Sequence, residues 1–190
     1  GYVFFYNFSY YISNPLEIIQ IWKGGMSFHG GLVGVILGAY IFSIKKNINI
    51  FNLLDVVACV APIGLFFGRI ANFINGELYG KPTEIYWSVV FPKIDYLSRH
   101  PSQIYEAILE GLLIFIVLNF IIFSKKYKVG QCSSIFLILY GVVRIISENF
   151  RVPDSSLGIF FDFLSMGSFL SLIMIIVGII TYRKKIAHEI

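Results

Sequence analysis

The sequence predicts an all-α fold, a helical bundle that crosses a membrane about five times and carries a small extracytoplasmic cap. Two observations predict this fold class. The mean hydropathy of the 190 residues is +0.77 and only 14% of them are charged, whereas soluble domains carry about 25%. Several apolar runs also approach the roughly 20 residues that a helix needs to cross hydrocarbon. These properties exclude a disordered chain, a disulfide scaffold and an ordinary soluble domain.

The apolar runs are continuous and do not alternate as the strands of a membrane β-barrel do. We therefore predict helices, because only helices and closed barrels satisfy their backbone groups in hydrocarbon. The predicted spans are 26–44, 53–74, 104–123, 132–146 and 159–182. We expect 1–190 to form a single membrane domain, in which residues 76–103 form the extracytoplasmic cap.

Clusters of lysine and arginine predict which ends of the spans face the cytoplasm. They follow the first, third and fifth spans, and consist of Lys45, Lys46, Lys125, Lys126, Lys128, Arg183, Lys184 and Lys185. Because the clusters occur at every second loop, all of them can lie on the cytoplasmic side at once, as the positive-inside rule requires. The C-terminus is then predicted to be cytoplasmic.

Polar and ionisable residues gather at the predicted outer ends of four spans. They are His29, Arg69, Asn72, Glu77, Glu106, Glu110, Arg144, Glu148 and Arg151. Ionisable residues inside a membrane are costly and usually face a cavity or a partner. Asp55, at the inner start of the second span, is the main exception. The common depth of the others indicates a site near the outer leaflet.

Two arginines in this group suit an anionic ligand, because a guanidinium stays charged and binds phosphate oxygens bidentately. Arg69 shares a helix face with Asn72, and Arg144 shares one with Glu148, since the pairs are three and four residues apart. His29 has a side chain that titrates near neutral pH and can move a proton. The combination indicates a site that handles an anionic lipid headgroup.

Each of these residues also has a purely structural interpretation. An arginine near a helix end can extend to the interface, Arg144 and Glu148 can form an ordinary ion pair within one helix, and His29 can be a packing residue. For Glu106 and Glu110 we favour stabilisation of the positive N-terminus of the third span. Convergence at one depth is the argument for a site.

Four motifs add a resemblance to a known family. They are GGMSFHGGL at 24–32, GRIANFINGELYG at 68–80, HPSQIYE at 100–106 and YGVVRIISENFRVPD at 140–154. Together and in this order they resemble the bacterial phosphatidylglycerol–prolipoprotein diacylglyceryl transferase family. The second motif looks like the signature block of that family, and the resemblance covers most of the chain. Family members normally carry further N-terminal helices, so we expect this chain to start after about two of them.

The resemblance implies a multi-pass enzyme of the bacterial plasma (inner) membrane whose site faces the outer leaflet. It implies transfer of diacylglycerol from phosphatidylglycerol to the lipobox cysteine thiol of a prolipoprotein. The products would be a thioether and glycerol 1-phosphate, in the first step of lipoprotein maturation. The implied partners are phosphatidylglycerol, the signal peptide with its lipobox cysteine, and membrane lipids. No metal, organic cofactor or nucleic acid is expected.

Functional residues follow from the resemblance by their places in the motifs. It implies catalytic roles for His29, Arg69 and Arg144. It implies roles in substrate binding for Arg69, Asn72, Glu77, Gly80, Tyr105, Glu106, Arg144 and Glu148. Neither Cys59 nor Cys132 needs to act, because the thiol nucleophile belongs to the substrate.

Other functions remain open on the residues alone. An anion or lipid transporter would also place arginines in a membrane cavity, but it should have pseudo-repeats and interrupted helices, and no internal repeat stands out. A non-catalytic membrane scaffold would tolerate substitution of His29. Another phospholipid headgroup transferase would share the arginines without needing a cysteine-bearing peptide.

Overall fold

The protein is described here from a computed structural model, which covers residues 8–15, 17, 28–152, 159–160 and 164–187. Helices dominate these residues. The helices are α1 (Phe8–Ser13), α2 (Phe28–Lys46), α3 (Ile50–Asn75), α4 (Ser102–Ile122), α5 (Gln131–Glu148) and α6 (Met166–Ala187). The strands are β1 (Val89–Val90), β2 (Ser98–Arg99), β3 (Ile159–Phe160) and β4 (Leu164–Ser165).

Four helices of the described part are long and apolar enough to cross a membrane: α3, α4, α5 and the Gly167–Lys184 part of α6. They confirm a helical, multi-pass membrane protein. The predicted spans 53–74, 104–123 and 132–146 coincide with α3, α4 and α5. Helix α2 coincides with the predicted span 26–44, whose crossing of the membrane stays a prediction.

The predicted start of the fifth span, at residue 159, is wrong. Strands β3 and β4 pair antiparallel there, with Ile159 opposite Ser165 and Phe160 opposite Leu164, and α6 begins only at Met166. The phenylalanine-rich run raises the local hydropathy as a helix would. Aromatic residues also favour strands, however, and hydropathy alone does not distinguish a short strand from the start of a helix.

The chain divides into two compact units, Gly1–Leu53 and Leu54–Ile190. In the first unit, Asn47 has a positive φ of 52° in the turn after α2. Asn49 directly precedes α3 and caps it. Its Oδ1 accepts a hydrogen bond of 3.0 Å from the amide of Phe51, as the side chain of an N-cap residue does. The expectation of one membrane domain over 1–190 stays a prediction.

Within the second unit, α5 and α6 pack closely through small residues. A Cβ atom added to Gly141 would lie 2.7 Å from the carbonyl oxygen of Ser171, and one added to Gly178 would lie 2.9 Å from that of Ser134. The Ser134 hydroxyl donates a 3.0 Å hydrogen bond to Thr181. Small residues of this kind let membrane helices approach closely and bind each other through hydrogen bonds.

Helix α4 has a π-helical segment, Ala107–Leu113, at the point where it crosses α3. A Cβ added to Gly111 would lie 2.6 Å from the Cβ of Phe66 and 2.8 Å from its Cα. The backbones of α3 and α4 can therefore meet only because residue 111 has no side chain. The segment contains Glu110 and directly follows Glu106, and π-helical turns often occur at functional sites.

The connection between α3 and α4, which we call the cap (residues 76–101), contains the paired strands β1 and β2. Arg99 holds the cap together, because its side chain pairs with Asp95 and its Nη1 donates a 3.0 Å hydrogen bond to the carbonyl of Gly80. The hydrogen bonds from Arg99 hold the pKa of Asp95 below its ordinary value. The cap is thus a folded segment that continues directly into α4.

The α3–α4 crossing predicts opposite effects for two glycine substitutions. Gly111→Ala should destabilise the protein by about 1–3 kcal/mol, because the new methyl group would overlap backbone atoms of Phe66. Gly64→Ala should be neutral or stabilise α3 by up to about 1 kcal/mol, since no heavy atom of the described residues lies within 4 Å of the added Cβ. Thermal unfolding in detergent measures both, and equal shifts would contradict the crossing.

Candidate functional site

Three helices meet at a group of buried charges, which we call the ion-pair cluster: Arg69, Glu106, Glu110, Arg144 and Glu148. Arg69 on α3 contacts both acids of α4. Its Nη1 lies 3.0 Å from Glu106 Oε2, and its Nε and Nη2 donate hydrogen bonds of 3.2 and 2.9 Å to Glu110 Oε2. Arg144 on α5 donates a 2.9 Å hydrogen bond from Nη1 to Glu106 Oε1. Glu106 thus joins the two arginines.

A second part of the cluster lies at the C-terminal end of α5. Arg144 Nη2 lies 3.0 Å from Glu148 Oε2 one turn further along the helix, so the pair expected from their spacing is present. Arg151 adds a weaker contact, 4.0 Å from its Nη1 to Glu106 Oε1. Arg144 therefore has acidic partners on its own helix and on α4. The interpretation of Arg144 and Glu148 as an ordinary ion pair within one helix is incomplete.

Burial differs between the acids and the arginines of the cluster. The side chains of Glu106 and Glu110 are 0% exposed, whereas those of Arg69 and Arg144 keep 15% and 13% of their surface. A buried carboxylate is costly unless it is paired and hydrogen-bonded. The acids therefore lie inside and hold the arginines, whose side chains stay partly accessible.

The favoured interpretation of Glu106 and Glu110, as acids at the helix N-terminus, is wrong. Helix α4 begins at Ser102, so both acids lie beyond its first turn, where the helix dipole acts. Their side chains contact α3 and α5 instead. The predicted start at residue 104 had placed them nearer the end of the helix.

The cluster has spare hydrogen-bond donors for a further ligand. A guanidinium carries five N–H groups, and the described contacts of Arg69 use one on each of its three nitrogens. Two of its N–H groups therefore have no acceptor among the residues that the structure describes. The described residues contain no group of three or more His, Cys, Asp or Glu that could hold a metal ion.

Three further residues of the 68–80 motif build the turn from α3 into the cap. The carbonyl of Asn72 accepts the Glu77 amide at 2.8 Å, and the carbonyl of Glu77 accepts Gln103 Nε2 at 2.6 Å. At Gly80 an added Cβ would lie 2.2 Å from the carbonyl oxygen of His100, so only glycine fits. These contacts are structural, and the binding roles expected of Asn72, Glu77 and Gly80 stay predictions.

Tyr105 belongs to an aromatic group that connects the cap to α4. Its hydroxyl accepts a 2.7 Å hydrogen bond from Trp87 Nε1 and lies 3.4 Å from His100 Nδ1. Its ring packs edge-on against Phe150, with centroids 5.5 Å apart. His100 was not among the predicted site residues, although it stands in the same motif as Tyr105. A direct role of Tyr105 in substrate binding stays a prediction.

His29 lies in α2, within the first unit. Its side chain is outside the described residues, and its catalytic role stays a prediction. The structure therefore brings together the polar residues of three of the four predicted spans. Gln103 was also not among the predicted site residues. It is fully buried and lies one turn before Glu106 on the same face of α4. The sequence signal for Gln103 was its spacing of three residues from Glu106, which places both side chains on one face of the helix.

The cluster predicts unequal costs for removing its acids. Glu106→Ala should lower the free energy of unfolding by about 3–5 kcal/mol, because it breaks the buried ion pairs with Arg69 and Arg144 at once and leaves each guanidinium with only its second acid, Glu110 or Glu148. Glu148→Ala should cost about 1 kcal/mol or less, since Glu148 keeps 22% of its side-chain surface and exposed pairs contribute little. Denaturant unfolding in detergent micelles compares the two, and equal losses would contradict the central place of Glu106.

Comparison with known proteins identifies the family of the chain. The family model described as prolipoprotein diacylglyceryl transferase matches residues 1–183. The phosphatidylglycerol–prolipoprotein diacylglyceryl transferase of Ehrlichia canis (strain Jake) is 53% identical over 182 residues, which cover 94% of this chain and 70% of that protein. The enzymes of that name from Rickettsia bellii (strain OSU 85-389) and Rhodospirillum rubrum are 51% and 50% identical, over 100% and 96% of this chain and 73% and 68% of their own. The chain belongs to the prolipoprotein diacylglyceryl transferase family.

Proposed function

We propose that this chain transfers diacylglycerol from phosphatidylglycerol to prolipoproteins. Its relatives are named for that transfer at about half identity over nearly the whole chain. The observation that carries the proposal is the ion-pair cluster. Arg69 and Arg144 come from different helices, are held by buried acids, and keep part of their surface accessible. An arginine pair at membrane depth suits the phosphate of a lipid.

Phosphate recognition by the cluster follows from its rigidity. A phosphodiester offers acceptor oxygens in a geometry that matches the planar guanidinium. Because Glu106 and Glu110 already hold the guanidinium of Arg69 in place, binding requires little further ordering of that side chain. Donors that are organised in advance stabilise the charge that develops in a transition state without a cost of reorganisation.

In the proposed reaction the nucleophile is the lipobox cysteine of the prolipoprotein. His29 accepts the thiol proton, because the thiolate is the reactive form of cysteine. The sulfur forms a bond to the diacylglycerol carbon that carries the phosphate, and the bond between that carbon and the phosphate oxygen breaks. Glycerol 1-phosphate leaves with the electron pair, and Arg69 and Arg144 stabilise its charge. The proton passes from His29 to the leaving group or to solvent.

The proposed setting is the bacterial plasma membrane, with the ion-pair cluster towards the outer leaflet and the C-terminus in the cytoplasm. The distribution of basic residues supports it. Helix α4 carries Glu106 near its first residues, and Lys125, Lys126 and Lys128 follow its other end. The positive-inside rule assigns those lysines to the cytoplasm, which leaves the cluster on the opposite side.

A lipid-transfer assay tests the proposed function. The purified chain in vesicles that contain phosphatidylglycerol is given a peptide with a lipobox cysteine, and the peptide mass is followed. We expect a diacylglyceryl mass gain that requires both the lipid and the thiol. Arg69→Ala and Arg144→Ala should each lower kcat by about 10²–10³, as loss of one charge-stabilising donor does, and His29→Ala should abolish transfer.

Lys126→Ala is the matched control, because it removes the same charge at the far end of α4 and should keep full activity. A Cys→Ser peptide and vesicles without phosphatidylglycerol should give no mass gain, and the Ehrlichia canis relative serves as the positive control. Transfer that survives both arginine substitutions would contradict the proposed site. A folded but inactive chain would be assayed again with the further N-terminal helices of the family added, and continued inactivity would favour the transporter or scaffold functions.

The two cysteines of the chain should not take part in transfer. Cys59 and Cys132 are buried, and each thiol lies 3.7 Å from the carbonyl oxygen of Leu118. They are ten and twelve residues from Arg69 and Arg144, about 15–18 Å along their helices. Alanine at either position should keep kcat within twofold in the transfer assay. Loss of activity in a folded variant would give a thiol of the chain a role.

A further inference from the structure

Asp55 is fully buried near the N-terminal end of α3, whereas Arg69 of the ion-pair cluster lies near the C-terminal end. The carboxyl group of Asp55 accepts three hydrogen bonds. Its Oδ2 accepts the hydroxyl of Tyr127 and the backbone amide of Gly130, both at 2.6 Å, and its Oδ1 accepts the amide of Ser133 at 2.7 Å. Two of the three donors belong to the backbone at the start of α5. Asp55 therefore ties α3 to the first turn of α5.

Helix α5 begins without a capping side chain of its own. Its N-cap residue is Gly130, which has a positive φ of 90° and makes no side-chain hydrogen bond. The first amides of a helix have no partner within it, and a Ser, Thr, Asp or Asn at the N-cap usually supplies one. Asp55 supplies it from another helix, to the N-cap amide and to that of Ser133, and its negative charge faces the positive end of the helix dipole.

Further contacts close the same end of the bundle around Asp55. The thiols of Cys59 and Cys132 meet the Leu118 carbonyl on α4, and Asn119 Nδ2 donates a 3.2 Å hydrogen bond to the carbonyl of Cys59. Burial, followed by the hydrogen bond to Asp55, raises the pKa of Tyr127, so its hydroxyl stays a donor. Asp55 accepts all three hydrogen bonds of this set through its two carboxyl oxygens.

The two helices that Asp55 joins are the two that carry the arginines. Arg69 lies fourteen residues beyond Asp55, about 21 Å along α3, and Arg144 lies eleven residues beyond Ser133, about 16 Å along α5. Helix α3 contains Pro62 between Asp55 and Arg69, whereas α5 contains no proline. Because an uninterrupted helix is stiff along its axis, the contact at the start of α5 determines the axial position of Arg144. A slip of one residue would shift Arg144 by about 1.5 Å, enough to break its 2.9 Å hydrogen bond to Glu106.

We propose that Asp55 is a positioning residue, which sets the register of α5 against α3 and thereby the place of Arg144 in the site. This inference rests on the proposed function, since its effect is measured on diacylglyceryl transfer. Asp55 contacts no reacting group and acts through its hydrogen bonds to the N-terminal amides of α5. Lipid tails are as apolar as leucine and give little driving force for one register over another, so a directional contact of this kind has a reason to exist.

The test is a double-mutant cycle with Arg144. Asp55→Asn cannot accept from all three donors and should lower kcat tenfold to a hundredfold, because a displacement near 1 Å costs about that much. In the Arg144→Ala background the same substitution should lower kcat less than twofold, since the residue it positions is already gone. Asp55→Ala serves as the second variant and should behave in the same way.

Two matched controls separate positioning from general destabilisation. Tyr127→Phe removes the hydrogen bond to Asp55 that does not come from an amide of α5, and should keep kcat within threefold. Asn119→Ala removes a hydrogen bond at the same end of the bundle without touching α5, and should do the same. Thermal unfolding of every variant shows whether the losses in kcat follow stability instead.

Hydrogen exchange gives a reading that does not depend on activity. Asp55→Asn should speed exchange of the Gly130 and Ser133 amides at least tenfold, whereas Tyr127→Phe should not. If the parent chain has no transferase activity, the proposed function fails, while hydrogen exchange still tests whether Asp55 caps the N-terminus of α5. The positioning role would be overturned if Asp55→Asn left kcat unchanged, or if its effect on kcat were as large in the Arg144→Ala background as in the parent chain. Failure of both Asp55 variants to fold would also overturn it.

Discussion

The burial of two carboxylates at membrane depth is the constraint on which the rest of the structure depends. Glu106 and Glu110 are fully buried, and an unpaired charge in such surroundings is strongly unfavourable. Helix α4 must therefore meet an arginine on each side, which brings α3 and α5 against it. Gly111 permits the approach of α3, and the same contacts bring Arg69 and Arg144 together. The same contacts therefore pack the three helices and assemble the site.

Apolar side chains alone would leave the register of these helices poorly determined. In lipid, helices associate through close packing and directional polar contacts, because burial of apolar surface gives no advantage over lipid contact. The second unit has both kinds of contact. Glycines and small polar residues join α5 to α6, while Asp55 and the ion-pair cluster join α3 to α5 near opposite ends. Buried charge here specifies geometry, at a cost in desolvation.

Hydropathy and charge spacing predicted the helical membrane class and the positions of α3, α4 and α5 to within three residues at each end, since these depend on local composition. They also predicted that Arg69, Glu106 and Arg144 lie at one depth. They did not predict the inward direction of Glu106 and Glu110, because that depends on where α4 begins and on its π-helical segment. The strands before α6 were missed, since a short aromatic strand and the start of an apolar helix have the same hydropathy.

The central claim is that the cluster holds two guanidinium groups ready for a lipid phosphate. Equilibrium binding of phosphatidylglycerol, compared with diacylglycerol that lacks the phosphate, tests it without the chemical step. The account predicts that the chain prefers phosphatidylglycerol at least tenfold, a difference of about 1.4 kcal/mol, and that the Arg69→Ala, Arg144→Ala double variant loses the preference while still binding diacylglycerol. A preference that survives loss of both arginines would contradict it.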